Sequence, residues 1–245
     1  KWKPQNYGKK FYGPSTLRMG VEKSRNLMTV RVAQKLGFDK ISKISKDLDV
    51  YDDVPELLSV SLGSNETTLL RLTNAYCSFV NGGKRIKPTL ITRIQDRRGK
   101  TIFNFDKRKC EGCELINVKD DFSPKIVEEK KQIISETTAY QMTSILEGVV
   151  KRGTGKKLKV LNVPLAGKTG TTNKNFDAWF IGFTSDLAIG VYVGYDEPRS
   201  LGKYETGSKA ALPIFKNFVE KALYREDLNS FRVPNDIYFF PVDYN

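Results

Sequence analysis

The chain has 245 residues, and its 39% hydrophobic content is ordinary for a globular domain with one substantial core, which excludes a disordered chain. It contains no histidine, which excludes Ser-His-Asp triads, Cys-His pairs and His-x-x-x-His zinc sites within these residues. The net charge of +13 is compatible with an anionic partner, but the lysines are spread along the chain without a basic-aromatic motif, so a solvated, lysine-rich surface is the favoured interpretation and no nucleic-acid partner is predicted. No metal and no cofactor are predicted. No stretch approaches the ~20 apolar residues of a membrane span.

Two helical patterns near the start enclose a short polar turn. Apolar residues recur at helical spacing over 16–23 and over 27–36. Ser24 and Asn26 lie between them, and a hydroxyl and a carboxamide two residues apart at a helix junction can point into one cleft. Taken alone, such a triplet is more often a polar turn or a helix cap.

The next elements alternate helix, hairpin and loop. In chain order they are a polar connector over 39–55, a helix over 69–80, a hairpin pairing 89–95 with 100–105, a charged loop insertion about 106–131, and a helix capped by Ser135. Cys110 and Cys113 lie in the insertion, and a local disulfide is predicted, with two free thiols as the alternative. Cys77 falls on the helical pattern and is predicted to be a buried core residue.

The C-terminal half contains an antiparallel sheet and a covering helix. The strand patterns run over 166–172, 178–184 and 187–195, with a tight hairpin between the last two. A final amphipathic helix is predicted to direct its apolar side chains toward this sheet, namely Ala211, Ile214, Phe215, Phe218, Val219 and Leu223. The tail from Phe231 is predicted to be an extended appendage. These patterns alone indicate an α+β or mixed α/β fold.

Lys168 stands in the first of these strands, between Gly167 and Gly170. Glycine inside a strand often marks the close approach of another backbone or a ligand. A lysine beside such a gap suits an anionic ligand lying along the strand, and a surface lysine between two turn glycines is the alternative. The run also ends like a phosphate-binding P-loop, but Asn162 stands where that motif needs glycine, which excludes it.

Together, Ser24-x-Asn26 and the later Lys168-Thr169-Gly170 are two of the three motifs of the penicillin-recognising serine enzymes. Further matches to this family occur in the expected order, at 2–7, 12–18, 62–63, 74–83, 153–155 and 196–207. The chain therefore resembles the transpeptidase domain of a class A, bifunctional penicillin-binding protein of the 1A type.

The resemblance implies a particular α/β fold. This is the penicillin-binding protein and β-lactamase-like sandwich, an antiparallel sheet with helices on its faces, here incomplete at the N-terminus. It implies a transpeptidase domain over 1–225, containing the insertion, and a C-terminal extension over 226–245. The glycosyltransferase domain and the membrane anchor of the family would lie upstream of Lys1.

The resemblance also implies roles for the two motifs. Ser24 would relay a proton between Lys168 and a lysine beside the nucleophile, and Asn26 would hold that lysine and the substrate amide. Lys168 would supply the positive potential that keeps the neighbouring lysine neutral. Thr169 and Thr171 would bind the terminal carboxylate, and the backbone N–H of Thr171 would donate to the oxyanion. The implied substrate-binding residues are Thr169, Gly170, Thr171 and Thr172.

The nucleophile motif of the family, Ser-x-x-Lys, should precede Ser24 and has no counterpart there. The single such string in the chain, from Ser200 to Lys203, follows the last strand in a glycine-bearing loop, so we do not assign it as the nucleophile. The chain alone is therefore expected to be inactive.

The function implied is that of a peptidoglycan D,D-transpeptidase that cross-links stem peptides through a serine acyl-enzyme. Its expected partners are stem peptides, the lipid-linked precursor, β-lactams and, through the upstream anchor, the periplasmic face of the inner membrane. A D,D-carboxypeptidase or serine β-lactamase relative is one alternative. A module that binds cell-wall peptide or a partner without chemistry is another.

Overall fold

The computed structural model describes residues 2–113, 124–127, 130–223 and 229–242. The chain divides into two compact units, the first formed by Lys1–Arg85 with Gln132–Asn245 and the second by Ile86–Lys131. None of the helices in the described ranges is long and apolar enough to cross a membrane.

Three of the described helices of the first unit begin at a residue whose side chain caps them. Within the described ranges the helices are α1 (Leu17–Glu22), α2 (Asn26–Leu36), α3 (Phe38–Asp47), α4 (Leu69–Val80), α5 (Glu136–Lys151) and α6 (Ala211–Ala222). The side chains of Thr16, Thr68 and Ser135 accept backbone N–H groups in the first turns of α1, α4 and α5, which satisfies donors left open at a helix start. The predicted helices flanking Ser24, over 69–80 and after Ser135 are confirmed.

The polar connector predicted over 39–55 is wrong in part, because α3 occupies most of its first half. Ile41 and Ile44 are partly buried and stand three residues apart, on one side of the helix. On the exposed side, Lys43 and Asp47 form an ion pair of 2.8 Å one turn apart. The helical spacing of Phe38, Ile41 and Ile44 is present in the sequence, but the polar residues between them led to the prediction of a connector.

Three strands of the first unit form the predicted antiparallel sheet. The described strands of the whole chain are β1 (Arg93–Gln95), β2 (Thr101–Asn104), β3 (Lys109–Glu111), β4 (Lys125–Val127), β5 (Ala166–Thr171), β6 (Ala178–Phe183) and β7 (Ala188–Val193). The last three pair in the order β5-β6-β7, which confirms the three strand patterns. Lys168 lies opposite Ile181, and Ile181 lies opposite Gly190.

Helix α6 covers one face of this sheet. Phe215 and Phe180 are fully buried against each other, with ring centroids 4.7 Å apart. The predicted inward positions Ile214 and Phe218 are wrong, because these side chains are 50% and 47% exposed. Leu212, three residues before Phe215, takes the inward position instead, so the buried face of the helix is rotated from the predicted one.

Helices α4 and α5 cover the opposite face, which confirms the α/β sandwich with helices on both faces of an antiparallel sheet. Leu146 and Val149 of α5 pack in one cluster with Phe183 of β6. Phe231 joins this cluster at 8% exposure, with its ring 5.6 Å from that of Phe183. The predicted extended tail is therefore attached to the core at Phe231, while most of its other described residues are exposed.

The second unit consists of two short antiparallel pairs. Strands β1 and β2 pair around the turn at Asp96–Gly99, where Asp96 N–H donates to the Lys100 carbonyl at 2.9 Å, which confirms the predicted hairpin. Strands β3 and β4 pair within the predicted insertion. Residues 114–123 of that insertion lie outside the described ranges.

The cysteines follow the sequence prediction only in part. Cys110 and Cys113 are exposed and joined by a disulfide, as predicted. Cys77 is only partly buried, so its prediction as a fully buried residue is wrong. Its helix turns that position toward the margin of the core, and the partial burial raises the pKa of its thiol.

Candidate active site

Strand β5 places Lys168 on the face covered by α4 and α5. Side chains alternate along a strand, so Lys168 and its partner Ile181 point to this face while Thr169 points to the other. Gly167 is required by packing, because a Cβ there would lie 2.7 Å from the Ile181 carbonyl oxygen. The backbone that approaches Gly170 closely is that of Gly207 in the same chain, since a Cβ on Gly207 would lie 2.4 Å from the Gly170 carbonyl oxygen.

The structure brings Lys168 and Ser24 together across 144 positions of sequence. Lys168 Nζ donates to Ser24 Oγ at 2.9 Å and to the Thr169 carbonyl oxygen at 2.9 Å. Burial lowers the pKa of Lys168 to about 8, because enclosure disfavours the ammonium form. The pair therefore joins a hydroxyl to a lysine whose charge can change near neutral pH.

Ser24 is presented by a tight elbow between α1 and α2. Its φ of 52° lies in the left-handed region, which non-glycine residues rarely occupy outside special sites. Arg25 N–H donates to the Gly20 carbonyl at 2.8 Å. A Cβ on Gly20 would meet the sulfur of Met28 at 2.5 Å, so the glycine lets the two helices approach closely enough to form the elbow.

Asn26 is adjacent to the pair but has a different partner. It is the first residue of α2, and its Nδ2 donates to the Gln5 carbonyl oxygen at 2.9 Å. Nearby, Asn6 Oδ1 accepts the backbone N–H of Leu27 at 3.2 Å. In the described part of the chain, no direct hydrogen bond joins Asn26 to Ser24 or Lys168, so the structure joins Ser24 to Lys168 and leaves Asn26 beside them with the Gln5 carbonyl as its partner.

The hydroxyls after Lys168 each have a defined partner. Thr169 Oγ1 lies 2.8 Å from Thr154 Oγ1, and Thr171 Oγ1 accepts the backbone N–H of Gly207 at 3.0 Å. Thr172 Oγ1 accepts the backbone N–H of Asp177 at 2.8 Å, which closes the turn into β6. Thr169 and Thr171 stand two positions apart and therefore share the face of the strand opposite to Lys168, whereas Thr172 serves the turn.

Sequence reasoning missed a buried ion pair beside the elbow. Glu22 has a side chain with 0% exposure, and it accepts two hydrogen bonds from Arg152, at 2.9 Å from Nε and 2.5 Å from Nη2. A carboxylate in an amphipathic helix gives no sign of burial in the sequence. The neighbouring Gly153-Thr154-Gly155 stretch was the available signal, since it matched the family.

The Ser200 string does not form a second site. Ser200 Oγ donates to the Lys174 carbonyl oxygen at 2.9 Å, and Lys203 Nζ lies 5.5 Å from the ring centroid of Tyr204. Neither residue starts a helix. This supports leaving Ser200 unassigned.

An α/β sandwich that joins a lysine on an edge strand to a serine between two helices defines the class of penicillin-recognising proteins. The family described as penicillin binding protein transpeptidase domain matches residues 1–220, and the chain belongs to it.

Individual relatives agree with the 1A type. Penicillin-binding protein 1A of Rickettsia bellii is 47% identical over 244 residues, covering 99% of this chain and 31% of that protein. Penicillin-binding protein 1A of Pseudomonas aeruginosa is 34% identical, covering 99% of this chain and 33% of that protein. The crystal structure of penicillin-binding protein 1A from Haemophilus influenzae aligns with a TM-score of 0.81 at 26% identity, covering 96% of this chain and 38% of that chain. The chain thus spans about a third of the curated relatives it matches.

Proposed function

We propose that this chain is the larger part of a serine-type peptidoglycan D,D-transpeptidase domain. The observation that carries the proposal is the hydrogen bond between Lys168 and Ser24, since the two motifs serve one proton network only if they meet. The substrates would be stem peptides presented by the lipid-linked precursor and by existing wall. The domain would work on the periplasmic face of the inner membrane, held by an anchor encoded upstream.

The reaction proceeds by two acyl transfers. A serine hydroxyl encoded upstream attacks the carbonyl between two D-alanines, the C–N bond breaks, and D-alanine leaves with the proton on its amine. The amine of a neighbouring stem peptide then attacks the ester, gives up a proton, and releases the serine as the cross-link forms. β-Lactams mimic the D-alanine dipeptide and stop the reaction at the acyl-enzyme.

Within this chemistry, Lys168 and Ser24 form the inner end of the proton path. The Lys168 ammonium donates to Ser24 Oγ, which leaves the Ser24 hydroxyl proton free to point toward the lysine of the upstream motif. The positive charge of Lys168 favours the neutral form of that lysine, so that it can accept the proton of the nucleophile. Asn26 would contact the same lysine once the upstream segment is in place.

Thr169, Gly170, Thr171 and Thr172 form the substrate side of the site in this proposal. Thr171 Oγ1 already accepts one backbone N–H, and its own hydroxyl proton remains to donate to a carboxylate. The backbone N–H of Thr171 would donate to the oxyanion, a contribution of about 3–4 kcal/mol for a single such donor.

A fluorescent penicillin followed by a denaturing gel tests the proposal. The chain alone should remain unlabelled, and the chain extended upstream by its own gene should label stoichiometrically. Stoichiometric labelling of the chain alone would place the nucleophile within it, and mapping the label to Ser200 would reinstate that motif. Incubating the extended form with a stem-peptide donor and an amine acceptor separates transpeptidation from release of D-alanine to water.

A further inference from the structure

We propose that the buried Glu22–Arg152 ion pair is a positioning device for the site, which fixes the elbow carrying Ser24 relative to the strand carrying Lys168. Its effect on catalysis rests on the proposed function, whereas its effect on Lys168 itself does not. The three parts of the device are the ion pair, two glycines that admit it, and a threonine that connects it to β5.

The ion pair holds the end of α1 in one orientation. Glu22 is the last residue of α1 and stands two residues before Ser24, while Arg152 follows the end of α5. The planar guanidinium donates through two nitrogens to the two carboxylate oxygens, which sets direction as well as distance. Lys23 Nζ adds a hydrogen bond of 2.6 Å to the Arg152 carbonyl oxygen.

Two glycines provide the space that this arrangement needs. A Cβ on Gly148 would lie 1.9 Å from Glu22 Oε1, and a Cβ on Gly153 would lie 2.3 Å from the Glu22 carbonyl oxygen. The side chain and the backbone of Glu22 are therefore both enclosed by the end of α5 and the residues after it. A side chain that only packed against this segment would not require glycine at both positions.

The same segment continues to β5. Thr154 N–H donates to the Glu22 carbonyl oxygen at 3.1 Å, and Thr154 Oγ1 lies 2.8 Å from Thr169 Oγ1. Thr169 is the strand residue next to Lys168. One short stretch, 152–154, therefore holds the residue two before Ser24 and the residue one after Lys168, which is the connection that a positioning device requires.

The protonation of Lys168 reports whether the device works. The charged side chains on the elements around it are Arg18, Glu22, Lys23 and Arg25 on α1 and the elbow, Arg71 on α4, and Glu136, Glu147, Lys151 and Arg152 on α5 and the residue after it. Enclosure lowers the pKa of Lys168, so an elbow that loosens and admits water should raise it. Loss of the Glu22 charge by itself cannot raise that pKa, because removing a carboxylate can only disfavour the ammonium form. The direction of the change therefore separates the two effects.

The experiment uses the protein encoded by the complete gene. The variants are Glu22→Gln, which keeps the shape of the carboxylate but removes its charge, and Arg152→Lys, which keeps the positive charge but cannot donate through two nitrogens in a fixed plane. Glu147→Gln is the matched control, since Glu147 is a carboxylate on α5 that is 19% exposed and pairs with Lys151 at 2.9 Å, outside the connection between the elbow and β5. Competitive trace acetylation across a pH series, read by peptide mass spectrometry, gives the pKa of Lys168, and stopped labelling with fluorescent penicillin gives the acylation rate.

We expect both test variants to raise the pKa of Lys168 and to slow acylation about tenfold to a hundredfold, the range for a small misplacement of reacting groups. The Glu147→Gln control should match the wild type in both. Thermal melting shows whether each variant is folded. If Glu22→Gln does not fold, Arg152→Lys alone tests the positioning role.

An unchanged or lowered pKa of Lys168 in folded Glu22→Gln and Arg152→Lys would overturn the positioning role. A change of equal size in Glu147→Gln would also overturn it. If the pKa rises as expected but the wild-type protein is never acylated, the positioning role stands and the proposed function fails.

Discussion

The site of the first unit and the hairpins of the second unit use polar residues in opposite ways. Around Lys168, charged and hydroxyl groups are enclosed and tied to partners distant in sequence, such as Ser24 and Arg152. In the second unit, strands β1, β2 and β3 are exposed throughout, and their ion pairs are local, such as Arg108 with Asp106. Substitutions should therefore act strongly and at a distance in the first region and weakly and locally in the second.

The largest difference between the two units in the free energy of unfolding should come from substitutions of aromatic residues. Phe215→Ala removes a fully buried ring packed on Phe180, and we expect it to lower the free energy of unfolding by about 3–5 kcal/mol. Phe103→Ala in β2 removes a ring that is 41% exposed and should change it by less than about 1 kcal/mol. Amide hydrogen exchange across a urea series, read by peptide mass spectrometry, measures both units separately, and equal losses would erase the distinction between the regions.

Lysines should show the same contrast in activity. In the protein extended upstream, Lys168→Met should slow acylation by penicillin about a hundredfold, the lower range for removing a proton-transfer group. Lys109→Met in exposed β3 should leave the rate unchanged. A Lys168→Met protein that folds and labels at the wild-type rate would remove Lys168 from the mechanism.

The pH dependence sharpens the role of that lysine. With its pKa at about 8, Lys168 is charged below that pH and loses its charge as pH rises through it. The ratio of wild-type to Lys168→Met acylation rates should therefore fall above about pH 8. Lys168→Arg, which stays charged, should lack this decline. A ratio that increases above pH 8 would mean that the neutral amine is the working form.

Two glycine substitutions compare the cost of a steric clash with the cost of an unfavourable backbone conformation. Gly190→Ala would place a Cβ 2.0 Å from Thr73 Oγ1 beneath α4, and overpacking of this kind should lower the free energy of unfolding by about 1–3 kcal/mol. Gly99→Ala in the hairpin turn meets nothing within 4 Å but must adopt a φ of 80°, which should lower it by about 1–2 kcal/mol. Adding Thr73→Ser, which keeps the hydroxyl, should not rescue Gly190→Ala, whereas Thr73→Gly should rescue it in part.

The smallest effect should follow reduction of the disulfide. Cys110 and Cys113 are three residues apart, so the bond restricts only a very short loop of the unfolded chain and contributes at most about 2 kcal/mol. We expect Cys110→Ser with Cys113→Ser to increase proteolysis of the second unit while the melting of the first unit is unchanged. A lowered melting temperature of the first unit would show that the two depend on each other.

Two kinds of feature could be predicted from the sequence. One is secondary structure with a strong apolar period, and the other is a site whose residues match those of a known family. Strands β5 to β7 and helix α5 follow from such periods, and the meeting of Ser24 with Lys168 follows from two motifs that must serve one site. The inward face of α6 was misjudged because its apolar residues fit more than one rotation, and α3 was missed because its apolar positions stand among many polar residues. The Glu22–Arg152 pair could not be predicted, since burial of a charge depends on a partner 130 positions away.

The left-handed backbone of Ser24 has an evolutionary consequence. A residue with a Cβ loses about 1–2 kcal/mol in this conformation, which glycine does not. Selection for a stable fold alone would favour glycine at this position, and only selection for the hydroxyl opposes it. Among related chains, glycine at the position of Ser24 would mark proteins that have kept the fold and lost the proton relay proposed for Ser24.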